Sequence, residues 1–271
     1  MYRLWVGLVS LVLLIVIGAY FWLRQEPAQL SPPAPAALPP AIAQAEPAIK
    51  YPILTPPGTT ELPPLERADD FVREQLTELL GDKSVKTFVQ LEDFARRVVA
   101  TVDNLPRSLA PPRMWPIPTT SGRFTVETAE SGSVIGATNA TRYTPFVALV
   151  ESLDAGRAVA LYQRLYPLFQ NAYEALGYPG KYFNDRLVEV IDLLLATPEP
   201  PGPLKVELPD IQGPLKLTHP WVLYHFSDPA LEGLSSGQKI MLRVGRENEK
   251  RLKAKLAEIR KLVVGDRVGR F

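Results

Sequence analysis

Three carboxylates, Asp185, Glu189 and Asp192, recur at i, i+4 and i+7, which sets them along one face if the stretch is helical. Oxygen ligands so arranged could hold a hard cation, or supply paired acid and base groups. The same spacing also describes the solvated face opposite an apolar stripe, here Leu187, Val190, Ile191 and Leu194, and this plainer reading is the expected one. Just ahead, Tyr182-Phe-Asn-Asp-Arg186 puts a phenol, an amide, a carboxylate and a guanidinium into five positions. Asn184 or Asp185 is expected to cap the helix, with Arg186 pairing to a neighbouring carboxylate. If the chain has a site, Tyr182, Asn184, Asp185, Arg186, Glu189 and Asp192 are where it is sought first.

Other chemistries find weaker footing. Gly233-Leu-Ser-Ser-Gly237 has the letters of a nucleophile elbow, but no apolar strand precedes it. The two histidines, His219 and His225, both come before it, so a helix-capping serine beside a glycine explains the motif better. Those histidines have no acidic residue between them and would need further ligands from elsewhere, so no metal site is expected. The chain has no cysteine, which removes disulfides, thiolate catalysis and thiolate metal sites together. No phosphate-cradling glycine loop or dinucleotide fingerprint is present, so no cofactor is expected. With 30 Lys and Arg against 29 Asp and Glu, no global field points to nucleic acid.

Charge is distributed unevenly all the same. From Lys239 to Phe271 there are eleven Lys and Arg against four Asp and Glu. On the last helix Leu252, Leu256, Ile259 and Val263 share one side, while Lys250, Lys253, Arg260 and Lys261 lie away from it. A solvated basic face is the default, and contact with an anionic surface such as phospholipid headgroups is the functional alternative.

The elements that would position these residues follow from periodicity. Asp69 or Asp70 is placed to cap a helix running to Leu80 and stopped by Gly81. The next segment, from Ser84 to Asn104, reads as one rod or as two short helices joined by a bend. Five prolines between 106 and 122 break the pattern; Arg123–Thr128 and Ser133–Thr138 then suggest a small hairpin. A helix follows from about Thr141, and Asp154 should cap a longer one whose stripe includes Leu161, Tyr162, Leu165, Tyr166, Phe169 and Tyr173. Pro167 is expected to kink it. Its apolar stripe is broad enough to make it central to the core. The 198–217 stretch is rich in proline, Thr218–Phe226 leans towards strand, and Ser235 or Ser236 caps a helix that Gly245 separates from the last.

Leu4–Leu23 carries no charge and, as a helix, would span roughly 30 Å, the hydrocarbon thickness of a bilayer. Tyr2 and Trp5 flank one end, Tyr20, Phe21 and Trp22 the other. The run is too long for a secretory signal and lacks a small-residue cleavage site, so it is expected to remain as a single-pass anchor. Basic residues favour its amino end in the cytoplasm by a small margin. Twelve prolines between 27 and 64 then make a semi-rigid spacer.

Val99-Ala-Thr-Val-Asp-Asn-Leu-Pro106, Leu161-Tyr-Gln-Arg-Leu-Tyr-Pro-Leu-Phe169 with Leu176-Gly-Tyr-Pro179, Tyr182-Phe-Asn-Asp-Arg-Leu-Val-Glu-Val-Ile-Asp192 with Leu195-Ala-Thr-Pro198, and Leu234-Ser-Ser-Gly-Gln-Lys239 together resemble the bacterial family catalogued as domain of unknown function 3014. The resemblance implies a bacterial, Gram-negative envelope protein with an amino-terminal anchor and a periplasmic domain; it implies no catalytic residues. The expected fold class is mostly α, at its margin α+β: a multi-helix soluble domain with one or two small β pieces, preceded by one transmembrane helix. The expected divisions are a cytoplasmic end (1–3), an anchor (4–23), a proline-rich linker (24–64), a helical domain (65–264) and a flexible tail (265–271). The expected address is the bacterial inner membrane with the domain in the periplasm. The expected function is non-catalytic binding of another protein or an envelope polymer. Its alternatives are an envelope enzyme using the Asp185/Glu189/Asp192 face and an anionic-lipid binder using the basic terminal helix.

Overall fold

The computed structural model describes residues 48–53, 62–130, 132–209 and 219–265. The Leu4–Leu23 run, most of the proline-rich linker and residues 266–271 lie outside the described residues. Among the described residues no helix is long and apolar enough to cross a membrane.

Helices dominate, as expected, with two small two-stranded sheets. After a 3-10 turn at Leu65–Arg67 come α1 (Asp69–Leu80), α2 (Asp82–Phe88) and α3 (Phe94–Asn104). The Ser84–Asn104 stretch is therefore two helices, parted by an extended Val89 and by Asp93 in a left-handed conformation, φ 52°. Asp69 does not cap its own helix. Its carboxylate accepts from the Asp93 and Phe94 N–H groups at 2.8 and 3.2 Å, so the acid expected to start α1 instead caps α3.

β1 (Val126–Ala129) and β2 (Gly132–Ile135) form the expected hairpin, with Val126 opposite Ile135. A 3-10 turn, Ala137–Arg142, leads into α4 (Thr144–Ser152). Asp154 caps α5 (Ala155–Ala175), accepting the Arg157 N–H at 2.8 Å. α5 carries Pro167 and buries Val159, Leu165, Tyr166, Leu168, Phe169, Ala172 and Tyr173, the central place its stripe requires. α6 (Phe183–Leu195) follows, then the short strands β3 (Val206–Glu207) and β4 (His225–Phe226), antiparallel with Val206 opposite Phe226. The β-leaning segment before Phe226 is a strand over only two residues; Pro220, which lacks an N–H to pair, opens a 3-10 turn instead.

The chain closes with α7 (Pro229–Glu232), α8 (Ser236–Arg243) and α9 (Arg246–Val264). Ser235 and Gln238 make a reciprocal capping box at the start of α8, so the elbow-like motif is a helix start. The α8 start docks on the end of α3. The Ser236 N–H donates to Arg107 O at 2.7 Å and the Gly237 N–H to Leu105 O at 2.9 Å, pairing free amides of one helix with free carbonyls of another. Gly237 permits this approach: a Cβ there would stand 2.8 Å from Leu194 Cδ2 and 3.1 Å from the Leu105 carbonyl oxygen.

α3 packs on α5 and α6, and α9 lies across α4, α5 and α6. The main core gathers Val72, Leu76, Val99, Leu165, Phe169 and Phe183. A second cluster, Val159, Val188 and Val263, joins α5, α6 and α9, and a third surrounds Val206, Phe226 and Leu242 beside the strands.

Candidate functional site

The start of α6 is where the sequence placed its first candidates, and they do converge there. Neither Asn184 nor Asp185 caps the helix. The first-turn amides are satisfied from α5: Gln170 Oε1 accepts the Phe183 N–H at 2.9 Å and the Tyr166 hydroxyl accepts the Asn184 N–H at 3.3 Å. That leaves the two side chains free for another task, which is holding residues 50–53.

Asp185 takes the main chain of this segment with both oxygens, Oδ2 accepting from the Lys50 N–H at 2.9 Å and Oδ1 from the Tyr51 N–H at 2.8 Å. Asn184 is 0% exposed; its amide donates to Tyr51 O at 2.8 Å and its Oδ1 accepts from the Tyr162 hydroxyl at 3.0 Å. The Tyr182 hydroxyl accepts the Ile53 N–H at 2.7 Å. Three donors and one acceptor of a four-residue stretch are thereby read, and the remaining position, Pro52, has no N–H to offer. Tyr51 packs with the Val159, Val188 and Val263 cluster and Ile53 against the main core.

Burial raises the Tyr162 and Tyr166 phenols well above their ordinary pKa, so both remain neutral hydroxyls and serve as hydrogen-bonding groups. The grip is a near balance. Four hydrogen bonds contribute about 1 kcal/mol each and two partly buried side chains about 1–2 kcal/mol each. Ordering the backbone costs about 1–2 kcal/mol per residue. The arrangement recognises a main chain bent at Lys50 and Tyr51, whose consecutive N–H groups share one carboxylate.

The remaining candidates separate. Arg186 lies 3.3 Å from an Asp103 oxygen and 3.0 Å from Glu189. Asp103 is only 3% exposed and also receives Arg107 at 2.5 Å and the Tyr178 hydroxyl at 3.1 Å. The bond to Asp103 raises the Arg107 pKa further. Asp103, Arg107 and Tyr178 were not singled out in the sequence, although Asp103 and Tyr178 fall inside the resembling stretches and Arg107 follows one directly. Glu189 keeps its side chain 68% exposed, and Asp192 pairs bidentately with Arg260. The three acids of α6 thus face three different partners, and none lines either of the described cavities.

The basic surplus of α9 is largely spent within the chain. Lys253, expected on a solvated face, has a side chain only 13% exposed, because it donates to Thr197 O at 2.6 Å and contacts Glu199 and Glu249 at 2.9 Å each. Arg260 holds Asp192, Arg251 holds Glu151, Lys255 reaches Leu153 O and Glu258, and Lys250 contacts Glu247 at 3.3 Å. Lys261 is exposed and makes no ion pair among the described residues.

A cleft of about 490 Å³, unmarked by any sequence motif, lies between the 137–142 turn, the 199–204 loop and the start of α9. Thr141, Thr144, Arg246 and Glu249 are among its walls. Glu249 is 3% exposed, and burial raises its pKa against the opposing pull of Lys253. Their 2.9 Å contact is an ion pair without the alignment of a hydrogen bond. Among the described residues no group of three or more His, Asp or Glu side chains is placed to hold a metal ion.

No curated protein and no solved structure matches the chain. Residues 94–260 match the family described as protein of unknown function (DUF3014), a span that includes the α3–α6 network around Asp103, the start of α6 and nearly all of α9. Covering more than half of the sequence, that match makes this chain a member of the DUF3014 family.

Proposed function

We propose that this protein is a single-pass component of a bacterial inner membrane whose periplasmic helical domain binds another protein and performs no catalysis. In this reading Leu4–Leu23 spans the membrane with residues 1–3 in the cytoplasm, and residues 24–64 carry the domain outward. One observation supports the binding role above the others. The Tyr182–Asp185 stretch grips a peptide segment by its main chain, as a receptor for a protein partner does.

The alternatives draw less support. An enzyme using the Asp185/Glu189/Asp192 face would need these acids to converge on one hollow, whereas each serves its own partner. An anionic-lipid binder would need a free basic face, and most cations of α9 are paired. An envelope polymer in place of a protein would have to satisfy acceptors spaced for peptide N–H groups.

Crosslinking in intact cells, followed by identification of what is joined to residues 62–264, tests the proposal. Enrichment of one specific protein is expected. Repeated recovery of this chain alone counts against it.

A further inference from the structure

The segment that fills the α5/α6/α9 groove belongs to the chain itself, and the groove reads it through main-chain groups that another peptide with the same bend at its second and third residues could offer. Asp185, Asn184 and Tyr182 make their hydrogen bonds to the segment through backbone atoms of Lys50, Tyr51 and Ile53. Side-chain selection comes from two places: the aromatic position, seated among Val159, Val188, Val263 and Ile259, and the aliphatic position two residues on. Proline between them has no N–H to leave unpaired and narrows the backbone choices of the residue before it. The Lys50 and Ile49 side chains are exposed and take no part.

We infer that this groove is a peptide-recognition site closed in cis by residues 49–53, and that its partner is a protein presenting an aromatic–proline–aliphatic segment bent in the same way. The inference rests on the binding role proposed above and names the surface and the partner's chemistry. The covalent link from Ile53 to the Leu65 turn is short, so the segment competes at an effective concentration on the order of millimolar. A partner must displace it. The segment therefore acts as an inhibitor of its own domain, and the proline-rich linker carries a regulatory element as well as distance.

The test uses the full-length chain in detergent micelles and a fluorescent peptide of the sequence Ala48 to Leu54, followed by anisotropy. The variant Tyr51→Ser/Ile53→Ser, which disables the internal segment, is expected to bind the peptide at least about tenfold more tightly than the unaltered chain. Adding Asp185→Asn to that variant is expected to remove most of the gain. Equal binding by the variant and the unaltered chain overturns the inference, as does no binding by a variant whose thermal melt matches the unaltered chain. Should the variant melt early, hydrogen exchange on the unaltered chain decides: saturating peptide should expose the Tyr51 and Ile53 amides, and unchanged protection overturns the inference. A dimer crosslinked between Tyr51 of one copy and Val188 of another would also overturn it, because the occupant would then be a second copy. If cells yield a specific partner whose crosslinks map away from α5 and α6, the binding role stands and the groove inference falls.

Discussion

Lys253 and Glu249 show what a residue's surroundings can do to a charge pattern read along a helix. Their i, i+4 spacing is that of an ordinary surface pair, yet Glu249 is buried against the cleft and Lys253 is largely covered. Burial raises the Glu249 pKa, so its neutral form is favoured by folding. A group raised in this way contributes stability that is fully present below its unfolded pKa and is lost as pH rises through the folded value. Lys253→Met removes the cation that holds the carboxylate in place and lifts that pKa further. The variant should lose about 3–5 kcal/mol relative to the unaltered chain at pH 8, the usual consequence of orphaning a buried charge. The deficit should shrink as pH falls towards 4, where Glu249 takes up a proton. Urea unfolding at several pH values checks this; a deficit independent of pH would mean that packing, and not the charge, is what Lys253 supplies.

At the scale of elements, helix ends explain more than helix faces. Asp69 of α1 caps α3, Gln170 and Tyr166 of α5 cap α6, and the start of α8 closes the end of α3. These cross-element caps free local residues such as Asp185 to hold other segments. The α8–α9 junction depends on close approach in the same way. Gly245 has φ 90° and ψ 147°, nearly the backbone of Gly81 at φ 80° and ψ 149°, so an alanine meets similar conformational strain at either place. Only at Gly245 would the added Cβ collide, 2.6 Å from Ala140 Cβ, whereas Gly81 has open space. Gly245→Ala should therefore be less stable than Gly81→Ala by about 1–3 kcal/mol. Equal losses would show that the 137–142 turn yields.

For the whole molecule, the expected anchor and the gripped segment together bear on working distance. Under the proposed anchoring, a polyproline-like spacer at about 3.1 Å per residue would reach at most roughly 75 Å if residues 24–48 form it and roughly 125 Å if release of residues 49–53 lengthens it to residue 64. Deleting residues 1–23 should move the chain from the membrane fraction to the soluble fraction of lysed cells. Continued sedimentation with membranes would shift the membrane contact into the domain, with Lys250 and Lys261 the first residues to replace, since they are the exposed cations of α9 among those singled out from the sequence.

Periodicity and capping chemistry were enough to specify the helical class, the hairpin, the Asp154 and Ser235 caps and the central place of α5, because those features are set by neighbours within a few residues. The motifs also pointed to the family that residues 94–260 match. The candidate cluster at Tyr182–Asp185 was legible as a concentration of polar side chains ahead of an apolar stripe. Its task was not, because the groups it serves lie more than 120 residues earlier. Asp192 and Arg260 were chosen for separate reasons and prove to be one ion pair, 68 residues apart. The cleft at Glu249 left no local mark either, since its walls come from three distant stretches. What a residue is and which way its helix turns are local properties; which partner neutralises it is a property of packing, and only the tertiary structure decides that.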